Sequence, residues 1–188
     1  MHVLKTFAWQ VLVGAAALLR DGGKVVVLLM GVAGAGKTTV GNSLAAQLGW
    51  DFADADDYHS ATNIEKMRNG IPLTDADRAP WLAALRTLVS NWIATGKNAV
   101  LACSALKRTY RDQLRVGPEV CLVYLRVAPE VLRHRLRARH GHYMTEAMLE
   151  SQLATLEEPD DALVIDADRA PELIVAEIVR KLKPATNS

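Results

Sequence analysis

A chain of 188 residues that is 50% hydrophobic is long enough for one well-buried core and too short for two ordinary domains. Its 22 basic and 21 acidic residues leave a formal charge of +1, which gives no global field for nucleic acid or an anionic membrane surface. Cys103 and Cys121 lie in apolar runs with no second Cys or His at zinc-ligand spacing, so they read as buried free thiols of a reducing, cytoplasmic compartment.

From the N-terminus, Phe7 to Leu19 is almost wholly apolar behind Lys5, a pattern that resembles a signal-peptide core. Gln10 interrupts the run, which is also too short for a comfortable transmembrane helix. Residues 1–23 are therefore read as an extension: first a start assigned too far upstream, next an extra helix packed on the domain, last a targeting signal. The domain is expected over 24–184, with a short tail at 185–188.

Val25–Met30 reads as a buried strand running into Gly31-Val32-Ala33-Gly34-Ala35-Gly36-Lys37-Thr38, and the Val40/Leu44/Leu48 stripe behind it as a helix closed by Gly49. A second strand, Trp50-Asp51-Phe52-Ala53, ends in Asp54-Ala55-Asp56-Asp57. Residues 57–80 are polar, weakly periodic and rich in turn signals, which marks a candidate substrate-binding insertion. Beyond it, helical patterns at Trp81/Leu85/Leu88/Trp92, Leu132/Leu136, Leu149/Leu153/Leu156 and Ile174/Ile178/Leu182 alternate with the apolar runs Asn98–Cys103, Val120–Val127 and Ala162–Ile165. Pro80, Pro129 and Pro171 stand where first-turn prolines are tolerated. The alternation predicts an α/β fold, a doubly wound parallel five-stranded sheet in a three-layer sandwich, with the ligand at the C-terminal ends of the strands.

The stretch from Gly31 fits G-x-x-x-x-G-K-[ST], a phosphate loop between strand and helix. Backbone N–H groups of Gly31, Val32, Ala33, Gly34, Ala35, Gly36, Lys37, Thr38 and Thr39 form the candidate cradle for a purine nucleoside triphosphate. Lys37 would reach the β and γ phosphates and Thr38 would ligate Mg²⁺. The strand Asn98–Cys103 ends in Ser104-Ala105-Leu106, without the carboxylate that switch GTPases and motor ATPases place there, so the acid must come from Asp54 and Asp56. In an extended segment these two share one face; one would hold magnesium through water and the other accept a hydroxyl proton. A solvated acidic turn is the plain alternative.

Two basic groups follow. Arg133, Arg135, Arg137, Arg139 and His140 lead into Gly141-His142-Tyr143-Met144, and residues 137–147 form a candidate lid hinged at Gly141 that would bring guanidinium charge onto a phosphoryl group. A solvated basic helix face is the competing reading. Lys107, Arg108 and Arg111 follow the third strand, where an anionic substrate could be held or where ordinary surface bases could stand. His59 would bind a hydroxyl or cap a turn.

Taken together, these residues resemble the gluconokinases of the small phosphate-loop type, related in fold to shikimate kinase and the nucleoside monophosphate kinases. The likeness rests on the phosphate loop, Asp54-Ala-Asp-Asp-Tyr-His59, Asn63-Ile-Glu-Lys-Met67, Gly70 to Arg78 with Pro80-Trp81-Leu82, Cys103 to Arg111, Gly141-His-Tyr-Met144 and Gln152 to Pro159, and covers roughly Lys24 to Lys183. It implies ATP- and Mg²⁺-dependent phosphorylation of D-gluconate to 6-phospho-D-gluconate. It also implies that Asp54 organises magnesium, that Asp56 faces the acceptor hydroxyl, and that Arg78, Lys107 and Arg111 meet the carboxylate and hydroxyls. Arg137 becomes a catalytic lid contact and Arg139 an ATP-side one; a homodimer is compatible with the family, whereas nucleic acid and membrane partners are not expected. The loop often reads Gly-Val-Ser-Gly-Ser-Gly-Lys in this family, whereas Ala33 and Ala35 replace both serines here. A kinase of another small hydroxy acid, shikimate-like, is the nearest rival, and a nucleotide-binding regulator without catalysis is the rival of a different class.

Overall fold

The computed structural model describes residues 18–19, 22–138 and 145–182. Five strands, β1 (Val26–Met30), β2 (Asp51–Asp54), β3 (Ala99–Ala102), β4 (Val120–Arg126) and β5 (Leu163–Asp166), form one sheet in the order β2-β3-β1-β4-β5. Every pairing is parallel, with Val26 opposite both Ala99 and Val120 and Arg126 opposite Asp166. The expected doubly wound sheet is thus present. A parallel sheet needs cover on both faces, and β1 shows why its sequence is apolar throughout: Val25, Val27 and Leu29 face one core cluster, while Val26, Leu28 and Met30 face the other.

The first cluster is closed by α1 (Lys37–Leu48), α5 (Pro129–Ala138), α6 (Glu146–Thr155) and α7 (Pro171–Leu182), through Val40, Leu44, Leu132, Leu149, Ile174 and Ile178. The second is closed by α3 (Asp75–Ala94) and α4 (Arg108–Leu114), through Trp81, Leu82, Leu85, Trp92, Tyr110 and Leu114. Fully burying one such side chain is worth about 1.5–3 kcal/mol, so the two layers fix the strand order and hold all five C-terminal strand ends at one edge. Cys103 and Cys121 are buried and free, and burial pushes both thiols up to about 12. Leu18 and Leu19 pack against the first cluster, and the Gly23 N–H donates to the Leu18 carbonyl at 2.7 Å. The rest of the expected extension, residues 1–17 and 20–21, lies outside the described residues, as do 139–144 of the expected lid. No helix among the described residues is long and apolar enough to cross a membrane.

Two sequence expectations, the helical placing of Pro80 and the shared face of Asp54 and Asp56, are corrected here, and the polar segment between them gains a definite structure. Pro129 and Pro171 do open their helices, but Pro80 stands inside α3, which begins five residues earlier at Asp75. The reason is a capping box: Thr74 Oγ1 accepts the Asp77 N–H at 3.2 Å and Asp77 Oδ2 accepts the Thr74 N–H at 2.9 Å. The polar segment 57–80 is largely helical, since Ser60 caps α2 (Ala61–Arg68) by accepting the Asn63 N–H. Asn63 Nδ2 then donates to the Asp77 carbonyl at 2.8 Å and Lys66 pairs with Asp77 at 2.7 Å, tying α2 to the start of α3. Finally, Asp54 and Asp56 do not alternate along one strand. Asp54 ends β2, and Asp56 belongs to a 3₁₀ turn, Ala55–Tyr58, that the Asp54 carboxylate caps.

Candidate active site

A cleft of about 390 Å³ opens at the C-terminal edge of the sheet, where the doubly wound topology places it. Its floor is the phosphate loop. Gly31 has a φ of 153°, and a Cβ there would sit 2.9 Å from the Leu125 carbonyl oxygen, so glycine lets the loop pass against β4. Gly36 takes a left-handed φ of 90° as the N-cap of α1, with no side-chain cap and no acidic residue in the first turn. No side chain of the cap covers the N-terminus of α1, and the helix dipole favours an anion there. Lys37, Thr38 and Thr39 line the cleft in that first turn.

Opposite the cradle, Thr38 Oγ1 donates to Asp54 Oδ2 at 2.6 Å, and the Asp56 N–H donates to Asp54 Oδ1 at 3.1 Å. One hydrogen-bonded chain therefore joins the loop, the end of β2 and the 3₁₀ turn. Asp54 and Thr38 are hard oxygen donors side by side, and among the described residues no group of three or more His, Cys, Asp or Glu could enclose a metal. Such a sparse donor set fits Mg²⁺, which keeps waters and substrate phosphates as ligands, and not a cation needing an all-protein cage. Asp56 is open to water through the cleft mouth but walled by protein elsewhere. This partial desolvation lifts its pKa above the usual carboxylate value; the Lys37 ammonium pulls the other way, and the Asp54 charge adds to the rise.

A further wall of the cleft is built from His59, Arg78 and Trp81, in and just beyond segment 57–80. His59 stacks on Trp81 with ring centroids 4.5 Å apart and 9° between planes, and the Trp81 indole N–H donates to the Ala55 carbonyl at 2.7 Å. His59 Nδ1 is buried without a hydrogen-bond partner among the described residues. Burial lowers the imidazole pKa, opposed by Asp56 and reinforced by Arg78. Arg78 lines the same wall, donating to the Leu73 carbonyl and lying 5.9 Å from the centroid of the Tyr110 ring.

The cleft thus brings together Ala33, Gly34 and Gly36 of the loop with Lys37, Thr38, Thr39, Asp54, Asp56, His59 and Arg78, whereas Gly31, Val32 and Ala35 are not in its lining and the last two are buried. Other expected residues stand elsewhere. Lys107 is engaged by both Asp75 oxygens at 2.9 Å, behind Arg78 and outside the cleft lining; this carboxylate raises its pKa. Arg111 is buried and donates to the carbonyls of Ala105 at 3.2 Å and Leu106 at 2.9 Å. It braces the turn after β3, where Ala105 takes a left-handed φ of 44°, and so supports Ser104 in the cleft wall without reaching the cleft itself. Arg137 is exposed and paired with Glu146 at 3.0 Å, while Arg133 pairs with Glu150 at 2.7 Å, so carboxylates of α6 already answer the repulsion expected along α5. Arg135 donates to the carbonyls of Gly34 and Ala167. Arg139 lies outside the described residues. Sequence reasoning gave no role to Ser104, Met148, Ser151 or Gln152, all in the cleft; Ser104 and Gln152 carried a signal, as members of the quoted Cys103–Arg111 and Gln152–Pro159 motifs.

A family model described as an AAA domain matches residues 26–159. The gluconokinase of Gluconobacter oxydans is 44% identical over 159 residues, covering 82% of this chain and 89% of that protein. Among solved structures, a sugar kinase from a Janibacter species superposes with a TM-score of 0.79 at 44% identity, over 85% of this chain and 94% of that one. A gluconokinase from Sinorhizobium meliloti superposes with a TM-score of 0.76 at 39% identity, over 84% and 91%. Shikimate kinase from Aquifex aeolicus, at 17% identity, 84% and 96% coverage and a TM-score of 0.56, shares the fold alone.

Proposed function

We propose, from the premise that this chain belongs to the gluconokinase family, that its cleft carries out in-line transfer of the γ-phosphoryl group of ATP to the primary hydroxyl of D-gluconate. Phosphorylation of gluconate is the family's chemistry and this enzyme's; the division of labour among the residues is the reading offered here. The observation that carries it is the single hydrogen-bonded chain from Thr38 through Asp54 to Asp56, which sets a proton acceptor beside an anion cradle.

In this reading the N-terminal amides of α1 and the Lys37 ammonium hold the β and γ phosphates in a fixed, partly desolvated field. Thr38 and Asp54 would hold Mg²⁺, which would supply neutralising charge to the phosphate oxygens. Gluconate lies against the His59/Trp81 wall with its carboxylate toward Arg78, whose guanidinium suits a planar carboxylate. Asp56 accepts the proton of the primary hydroxyl as that oxygen bonds to the γ phosphorus and the bond from phosphorus to the β-phosphate oxygen breaks. Its raised pKa makes Asp56 a stronger base than an ordinary carboxylate. A coupled ADP-release assay across gluconate, shikimate and a nucleoside monophosphate tests the reading: turnover is expected with gluconate, and equal or greater turnover with either alternative acceptor would overturn it.

A further inference from the structure

Gln152 stands on α6, and its Oε1 accepts the backbone N–H of Ala33 at 2.8 Å across 119 positions of sequence. That N–H belongs to the same peptide unit as the Val32 carbonyl. The carbonyl in turn accepts the Lys37 ammonium at 3.2 Å and the Ala35 N–H at 3.2 Å. A trans peptide unit is planar, with its N–H and C=O directed oppositely, so a partner that fixes one end fixes the direction of the other. Gln152 therefore draws the Ala33 N–H toward α6 and turns the Val32 oxygen toward Lys37. The amide is itself held in place, because α6 is tied down beyond it: the Glu157 N–H donates to the Leu106 carbonyl at 3.0 Å and the Glu157 carboxylate accepts the Arg108 N–H at 2.6 Å. Lys37 carries a long, rotamer-rich side chain whose freedom costs free energy to remove at the moment of transfer.

We propose that Gln152 is a positioning residue for phosphoryl transfer: by clamping the Val32–Ala33 peptide unit from α6, it sets the station from which the Lys37 ammonium meets the transferred phosphate. The proposal rests on the kinase reading above only for the reaction that the clamp serves; the clamp itself is a property of the fold.

The test uses the full-length enzyme with Gln152→Met, which keeps the side chain's length and removes the acceptor, and Gln152→Glu, which keeps an accepting oxygen. Amide hydrogen exchange at Ala33, followed by NMR without nucleotide, is expected to speed at least tenfold in Q152M and to stay slow in Q152E. Loss of one such hydrogen bond corresponds to a fall in kcat of roughly tenfold for Q152M, with KM for gluconate within about twofold of wild type and an unchanged urea midpoint. Unchanged Ala33 exchange in Q152M, kcat within twofold of wild type, or a loss confined to the urea midpoint overturns the proposal. Wild-type enzyme that releases no ADP with gluconate counts against the kinase reading alone, because Ala33 exchange still decides the clamp.

Discussion

Replacing Asp56 by Asn should move catalysis and stability in opposite directions. The perturbation is small in shape: Asn keeps the backbone N–H that donates to Asp54 Oδ1 at 3.1 Å, so the 3₁₀ turn and the Thr38–Asp54 bond persist. What disappears is the charge and the proton acceptor. General-base contributions of about 10²–10⁴ correspond to about 3–5 kcal/mol of barrier, and kcat should fall by that factor while KM for ATP stays within about threefold. The stability change follows from linkage. Burial raises the folded pKa of Asp56 above its ordinary value of 3.8, so the folded state holds this proton more tightly than the unfolded chain does. As pH rises through the folded pKa, ionisation of Asp56 opposes folding; at pH 7 the variant escapes that cost and should melt at higher temperature than wild type. The gain should shrink as pH falls toward 3.8. Steady-state kinetics at saturating gluconate and thermal melts from pH 4 to 8 measure both. A variant retaining more than half of wild-type kcat would falsify the catalytic assignment, and one less stable than wild type at pH 7 would remove the electrostatic argument.

Thr38→Val deletes a hydroxyl that donates to Asp54 at 2.6 Å, and a magnesium titration of activity should shift to higher concentration by about tenfold or more; an unchanged titration curve excludes Thr38 as a ligand. Arg111→Met leaves the Ala105 and Leu106 carbonyls without their donor and should cost about 1–3 kcal/mol in urea denaturation, with KM for gluconate unchanged; a selective rise in that KM would return Arg111 to the substrate. Leu85→Ala, at a fully buried position beneath the insertion, should cost about 2–5 kcal/mol by the same measurement. His59 has a folded pKa below its ordinary value of 6.5, so the unfolded chain binds the extra proton first as pH falls. Its contribution is complete above about pH 6.5 and is lost as pH falls through that value toward the folded pKa, and His59→Gln should flatten this part of the stability curve; an identical slope in the variant refutes it.

The sheet was readable because its signals are local and redundant. Val26 to Met30 must be apolar on both faces, and the loop behind it needs glycines where the chain turns left-handed, so a single window carries strand, loop and helix start. Elimination narrows the acid to Asp54 and Asp56, because β3 ends without a carboxylate and these acids stand at and just after the end of β2; only the family resemblance divides the roles between them. The start of α3 was misplaced because Pro80 is a louder breaker than the Thr74–Asp77 capping box, although two reciprocal backbone bonds at the true N-terminus outweigh one missing N–H farther in.

Charge was the least readable quantity, for a physical reason: a cation announces itself in sequence while its neutralising partner does not. Lys107 and Arg78 share Asp75, Arg133 and Arg137 face Glu150 and Glu146, and Arg111 is satisfied by two carbonyls of its own turn. Of the expected binding cations described here, Lys37 and Arg78 reach the cleft. In the proposed reading, discrimination among acceptors would fall mainly on the wall formed by His59, Trp81 and Arg78, which holds a buried ring nitrogen without a hydrogen-bond partner among the described residues and one guanidinium. A hydroxylated acid can satisfy both at once, whereas a polyol lacking the carboxylate leaves the guanidinium without its anion and should be a poorer substrate through KM.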